Sequence, residues 1–224
     1  MDSSRSRCSH CLRPEFTYSL ADRLICGESI NLISPHGQGR RRTLEDLCRF
    51  LPGSTMAIQI NMRFYCLDFK GFLKAIGTYF NHPADRVSSL GALFDQLEKE
   101  NRNVLLILHN FDELWSGKAL KDGYSPAFID DLNRLREREI TLLCVTEQRD
   151  APLQAGGTIL DAAPLPLPEI TKLQLLRELQ HRSLPVEKSE LPVLAEWLLN
   201  QKSPYSQLDT FDTKWYALRM WQKK

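Results

Sequence analysis

The sequence predicts an α/β fold, a three-layer sandwich built on a mostly parallel sheet, with a small helical lid toward the C-terminus. Three observations predict it. Several apolar runs have strand length, amphipathic helical patterns alternate with them from about residue 28 to residue 146, and the texture changes after Glu147. Strand and helix in alternation imply right-handed crossovers with helices on the sheet faces. The composition agrees. Of 224 residues, 42% are hydrophobic, 25% charged and 9% aromatic, which excludes a disordered, collagen-like or coiled-coil chain. That length can bury a real core in one domain with a small appendage. The 29 Lys+Arg stand against 28 Asp+Glu, a net charge of +1, so no global field steers the protein to nucleic acid or membrane.

Four runs read as strands: 29–33, closed by Ser34-Pro35-His36-Gly37; 56–61, where apolar and polar residues partly alternate; 103–108; and 140–145. The last two are continuously apolar, the pattern of strands covered on both faces of a parallel sheet. Between them, 43–50 carries Leu44, Leu47 and Leu51 on one face, and 69–80 repeats Phe69, Phe72, Leu73, Ile76 and Phe80. Residues 89–100 place Leu90, Leu93, Phe94 and Leu97 at i, i+3, i+4 and i+7, a clear amphipathic helix. Ser125-Pro126 opens another helix, with Phe128, Ile129, Leu132 and Leu135 inward. Residues 150–168 are rich in Pro, Gly and Ala, with a short strand expected near 158–160; helical patterns follow at 170–181, 189–200 and 211–222. The expected division is a basic, flexible arm over 1–19, an α/β core over 20–165 and a helical lid over 166–224.

The chemistry concentrates after the first strand, in Ser34-Pro35-His36-Gly37-Gln38-Gly39-Arg40-Arg41-Arg42-Thr43. A glycine-bearing loop between a buried strand and a helix start is where backbone N–H groups can turn onto a phosphate. The segment resembles the P-loop of AAA+ and STAND proteins, Gly-Pro-x-Gly-x-Gly-Lys-[Ser/Thr], with Pro35, Gly37 and Gly39 on the family positions. Ser34 replaces the first glycine, Arg40 the lysine and Arg41 the magnesium-binding hydroxyl, so this Walker A motif is degenerate. Thr43 comes two residues too late to serve as that hydroxyl.

The run 103–113 is similar to a Walker B strand, ending in Asp112-Glu113. The resemblance implies that Asp112 organises hydrated magnesium and Glu113 polarises the attacking water, the two catalytic residues of an active site of this kind. It implies that Thr146 and Arg149, after the strand at 140–145, are similar in kind to the family's sensor residues. It also implies that Pro164-Leu165-Pro166-Leu167-Pro168-Glu169 leads into the lid, and that ATP or ADP is the ligand, held by Pro35, Gly37, Gln38, Gly39, Arg40, Arg41 and Arg42. The likeness spans residues 20–200.

The departures change the expected function. Arginine is a bulkier planar fork than lysine and is aimed differently, though it can hold a phosphate by bidentate contact. Arg41 has no acceptor for a metal and repels cations, which argues against magnesium. The expected protein is therefore a regulatory or assembly component, a pseudo-ATPase whose nucleotide binding is weak or metal-independent and whose hydrolysis is weak or absent. A protein partner is implied, either an active paralogue or a second copy, with Arg149 or Arg134 reaching a neighbour's site. Two other readings stay open. One is an active ATPase using Arg40, Asp112 and Glu113; the other is a nucleic-acid-associated adaptor using the Arg40–Arg42 cluster and Arg5, Arg7 and Arg13. Three cations at a helix start oppose its dipole by about 0.3–1 kcal/mol each, which calls for an anion nearby.

The remaining features are bland. Six Cys, at 8, 11, 26, 48, 66 and 144, form no disulfide framework, and Cys8-Ser9-His10-Cys11 is half of a zinc site without its other half. No apolar run approaches the ~20 residues of a membrane span, and 1–7 is no secretory signal. A cytoplasmic protein without membrane association is expected. Trp197, Tyr205, Trp215, Tyr216, Met220 and Trp221 make the C-terminal quarter aromatic, as packing of the lid.

Overall fold

The apolar runs pair in parallel, as their two-sided hydrophobicity requires. A computed structural model of the chain describes residues 10–81, 88–97, 103–116, 119–121, 123–148, 153–182, 184 and 186–210. In chain order these form α1 (Pro14–Ile25), β1 (Ile30–Ile33), α2 (Arg40–Phe50), β2 (Thr55–Asn61), α3 (Phe69–Thr78), α4 (Leu90–Leu97) and β3 (Asn103–His109). A short hairpin of β4 (Trp115–Ser116) and β5 (Ala119–Leu120) precedes α5 (Pro126–Asn133) and β6 (Ile140–Thr146). A second hairpin, β7 (Gln154–Ala155) and β8 (Thr158–Ile159), leads to β9 (Ala163–Pro166), α6 (Lys172–His181) and α7 (Leu191–Leu199). Residues 204–210 are also helical.

The chain divides into two units, each made of separated segments. One comprises Leu20–Ser34 and Leu51–Pro166; the other comprises the residues up to Ser19, Pro35–Phe50 and the residues from Leu167 onward. The segment expected as a continuous core over 20–165 therefore contributes to both, because the loop and α2 group with the lid segments.

The first unit holds a five-stranded sheet in the order β2-β3-β6-β1-β9. All its pairings are parallel. The order reverses at β1, since the chain leaves it toward β2 on one side and returns to β9 on the other. In open α/β sheets such a switch point marks where strand ends open toward a ligand crevice. Ile58, Ile60, Val104, Leu106, Leu108, Leu142 and Cys144 form one core with Phe72, Leu73 and Ile76 of α3, Leu90, Leu93 and Phe94 of α4, and Phe128, Ile129 and Leu132 of α5. The opposite residues of the strands, Leu105, Ile107, Leu143 and Val145, are buried too.

One strand departs from expectation. Residues 163–166, read as the lead-in to the lid, instead form edge strand β9. Prolines normally argue against a strand because they lack a donor, yet alternate N–H groups of an edge strand face away from its only neighbour. Here Ala163 N–H donates to Ser29 O (2.9 Å), and Pro164 and Pro166 occupy the alternate positions. The prolines thereby also close the edge to a further strand.

The second unit has its own core: Leu12, Ile170, Leu175, Leu179, Leu191, Ala195, Leu198, Tyr205 and Leu208. Residues 10–19, expected within a flexible basic arm, are ordered here. Leu12 and Arg13 are buried, and α1 begins at Pro14, a residue suited to a first helical turn. The rest of that arm and the helix expected over 211–222 lie outside the described residues. Among the described residues no helix is long and apolar enough to cross a membrane.

Glu139 joins a 3-10 turn to β6 in the left-handed region, at φ 57°. A side chain in that conformation costs roughly 1–2 kcal/mol, against about 0.5–1 kcal/mol for glycine's greater freedom when unfolded. Because Glu139 is exposed, Glu139→Gly should stabilise the protein by about 0.5–1 kcal/mol, read as a higher denaturation midpoint at unchanged slope.

Candidate functional site

Two groups of residues carry the predicted chemistry, one in each unit. In the unit built from the loop, α2 and the lid segments, Gly37 and Gly39 both have positive φ, +82° and +77°. A Cβ on Gly37 would fall 2.3 Å from Ser203 Cβ, and one on Gly39 would fall 2.9 Å from both Leu12 Cδ2 and Tyr205 Cδ2. Tyr205 N–H donates to Gly37 O (2.8 Å), and Ile170 N–H donates to Gln38 Oε1 (3.2 Å). The glycines thus permit both the turn and the close approach of the lid residues.

Arg13 is the strut of this arrangement. With only 2% of its surface exposed, it donates to Gln38 O (2.6 Å), Thr43 Oγ1 (3.0 Å) and Pro168 O (3.2 Å). Burial pushes its guanidinium down to about 10. Thr43, out of place as a metal ligand, accepts from Arg13 and donates to Gly39 O (3.2 Å).

Two of the loop arginines, Arg41 and Arg42, separate. Arg42 turns inward, donating to His10 O (3.1 Å) and pairing with buried Asp46 (3.4 Å). Asp46 also accepts from Leu12 N–H (2.9 Å) and pairs with Arg49 (3.2 Å). Arg41 points outward, 92% exposed and paired with Glu45 (3.0 Å). Part of the anion that the helix start calls for is therefore supplied from within α2. Beside it opens a cavity of about 510 Å³, lined among others by Arg41, Arg42, Glu178, His181, Arg182 and Tyr205. Glu178, 2% exposed, accepts from Tyr205 Oη (2.8 Å) and Arg182 Nε (3.0 Å) and lies 2.5 Å from His10 Nε2. Burial would raise its carboxyl, but the hydrogen bonds from His10, Tyr205 and Arg182 outweigh it and hold the group below its ordinary value.

In the sheet unit the strand ends carry the acidic group. Asp112 Oδ2 accepts from Glu147 N–H (3.3 Å), and its Oδ1 is buried without a hydrogen bond among the described residues. Burial pushes the Asp112 carboxyl up, helped by the charges of Glu147 and Glu113. Glu113 is engaged on both oxygens, by Arg63 Nε at 3.0 Å and Lys121 Nζ at 3.7 Å, and Arg63 also lies 3.8 Å from Glu147. Local structure fixes both cations. Asn61, ending β2, caps the following turn by accepting from Arg63 N–H (3.1 Å), and itself accepts from Asn110 Nδ2 (2.8 Å). The β4–β5 hairpin returns the chain so that Lys121 N–H donates to Leu114 O (2.8 Å).

Thr146 is fully buried and donates to Asn31 Oδ1 (3.1 Å), while its carbonyl accepts from Ser34 N–H (2.8 Å). Arg149 and Cys8 lie outside the described residues. Among the described residues no three His, Cys, Asp or Glu side chains are grouped to hold a metal.

Sequence reasoning missed Asp46, Arg63, Lys121 and Glu178, and it placed Arg13 on a basic arm for nucleic acid, whereas Arg13 is buried and spent on internal hydrogen bonds. A signal existed for Arg63, two residues beyond a strand whose end lies in register with that of β3 (Asn61 beside His109). The buried partners Arg13 and Glu178, distant in sequence, had none.

The fold is similar to that of solved structures. The chain matches Cdc6p from Pyrobaculum aerophilum with a TM-score of 0.64 at 18% identity, over 88% of this chain and 58% of that one. It matches Drosophila ORC, solved bound to DNA, with a TM-score of 0.54 at 14% identity, over 86% of this chain and 50% of that one. It thus spans less than two thirds of either chain, and likeness at such identity extends to the fold alone. No protein-family model and no curated protein matches the sequence.

Glu178 gives a testable pH dependence. Its folded-state pKa is lowered, so its contribution is present above the ordinary glutamate value of 4.5 and is lost as pH falls through the folded value. Glu178→Gln should destabilise the protein at neutral pH by roughly 3 kcal/mol, through the unpaired charges it leaves, and flatten the acid limb of stability against pH in denaturation curves.

Proposed function

We propose that this chain is a diverged AAA+-like P-loop domain that holds ATP or ADP without a metal and serves as a regulatory or assembly component, with hydrolysis weak or absent. The observation that carries this reading is the cavity beside the start of α2, within a single unit, where Arg41, Arg42 and Arg182 stand among Glu45, Glu178 and Asp209 and a phosphate would compete with those carboxylates for the guanidinium groups. Guanidinium groups suit phosphate oxygens, which they can take two at a time, and the volume falls within the usual range for small-molecule sites. A nucleotide there would be held by α2 and the lid segments; Pro35, Gly37, Gln38, Gly39 and Arg40 do not line this cavity.

The same geometry argues against turnover. Arg41 stands where a hydroxyl would meet magnesium, and Glu113, in the position of a water-polarising base, is tied to Arg63 and Lys121. A base engaged by two cations is a poor acceptor for a water proton. The STAND-like features, Thr146 as a sensor and Arg149 behind it, belong to this reading; burial of Thr146 against Asn31 suits a residue that relays more than one that touches ligand. Assembly with an active paralogue or a second copy belongs to this reading, as does nucleic acid as a partner, which accords with a similar structure, Drosophila ORC, being solved bound to DNA. Because Arg42 is turned inward, the loop cluster offers nucleic acid chiefly Arg41.

The test is thermal stabilisation by ATP and ADP, each with magnesium and with EDTA. Both nucleotides should raise the melting temperature equally in the two conditions, a ligand at 100 times its dissociation constant adding about 2.7 kcal/mol. Arg41→Ala should shrink that shift while changing the unliganded stability by no more than about 0.5 kcal/mol, as a solvent-facing substitution. Magnesium-dependent turnover abolished by Glu113→Gln would establish the active ATPase instead. No shift, together with salt-dependent retention on DNA or RNA that Arg41→Ala removes, would establish the nucleic-acid adaptor.

A further inference from the structure

The acidic strand ends do not fit the metal that a P-loop resemblance implies, and the misfit has a structural cause. Asp112, Glu113 and Glu147 come together at the ends of β3 and β6, an arrangement whose mutual repulsion needs a counter-charge. For Glu113 and Glu147 it is supplied from the protein, while Asp112 Oδ1 stays without a hydrogen bond among the described residues. Arg63 bridges Glu113 (3.0 Å) and Glu147 (3.8 Å), and Lys121 reaches the other oxygen of Glu113 (3.7 Å). Neither cation is there by accident of a long side chain. Arg63 sits on a turn capped by Asn61, which Asn110 also contacts, and Lys121 is returned by a hairpin.

We propose that Arg63 and Lys121 are resident counter-ions that take the place of a divalent cation and close this edge to magnesium. A divalent ion entering here would meet two fixed positive charges and would have to displace them from Glu113, at an electrostatic cost added to its own dehydration. Arg63 is about half exposed, so it contributes little to overall stability; its effect is on which cation the carboxylates accept. The proposal takes Asp112-Glu113 as the acidic edge described under Proposed function, but does not depend on nucleotide binding.

The experiment is Mn2+ binding to the full chain, followed by electron paramagnetic resonance without nucleotide. The natural protein should show no saturable Mn2+ site in the low-millimolar range. The double variant Arg63→Gln/Lys121→Gln should gain one, and adding Asp112→Asn should remove it. A saturable, Asp112-dependent site in the natural protein overturns the proposal, and so does a folded double variant that gains no site. Should the double variant not fold, Arg63→Gln and Lys121→Gln are each measured alone in the same way. A saturable, Asp112-dependent Mn2+ site in either supports the proposal; no site in either folded variant overturns it. Because no nucleotide is present, a failure here leaves the nucleotide pocket untouched, and a failed nucleotide shift leaves this result standing.

Discussion

The sheet unit depends on one constraint: β1 is four residues long and must be hydrogen-bonded on both sides. It pairs with β6 through Ile30–Leu143 to Ile33–Thr146, and with β9 through Ile30–Ala163 to Ile33–Pro166. All four of its residues are buried, so each polar group it carries must find a protein partner. Asn31 meets that demand by accepting from Thr146, and Ser34 continues the ladder to the Thr146 carbonyl. A strand so short and so enclosed leaves the chain no freedom in where it exits. The residues that follow are the ones that must turn at once, and Gly37 and Gly39 at positive φ make that turn.

The other unit is organised by buried charge. Asp46, Arg13 and Glu178 are each almost wholly removed from water, where an unpaired ion is intolerable and a paired one specifies its partners closely. Asp46 gathers Leu12, Arg42 and Arg49; Arg13 gathers Gln38, Thr43 and Pro168; Glu178 gathers His10, Arg182 and Tyr205. Each set joins segments far apart in the sequence. Such groups contribute modestly to net stability, because desolvation opposes pairing, yet breaking one is severe. They account for the ordering of residues 10–13, whose composition alone suggested a solvated arm.

The sheet and its crossover helices were legible because their signals are local: apolar runs, helical periodicity and a strand–loop–helix order. Edge strand β9 was not, since its prolines speak against a strand unless the neighbour on one side is known to be missing. Helix α1 was obscured by its polar, arginine-bearing lead-in, although Leu20 and Leu24 are buried. At the site, the sequence singled out the glycine-bearing loop and the Asp112-Glu113 pair, but it treated Arg40, Arg41 and Arg42 as one cluster. Helical geometry separates them, sending Arg41 outward and Arg42 toward Asp46, and the partner that decides this for Arg42 lies one turn further along the same helix.

The two features that argue against turnover are of different kinds. Arg41, where the P-loop resemblance implies a hydroxyl, is visible in the sequence and local to the loop. Capture of Glu113 by Arg63 and Lys121 leaves the acidic pair intact in sequence and alters only its company. Without Arg63 and Lys121, Glu113 and Glu147 would stand uncompensated at a strand edge, beside an Asp112 already raised by burial and by its acidic neighbours. Removing a divalent cation from such a group exposes its repulsion, and lysine and arginine relieve that repulsion without coordination chemistry. Engaged on both oxygens, Glu113 has little capacity left to accept a proton.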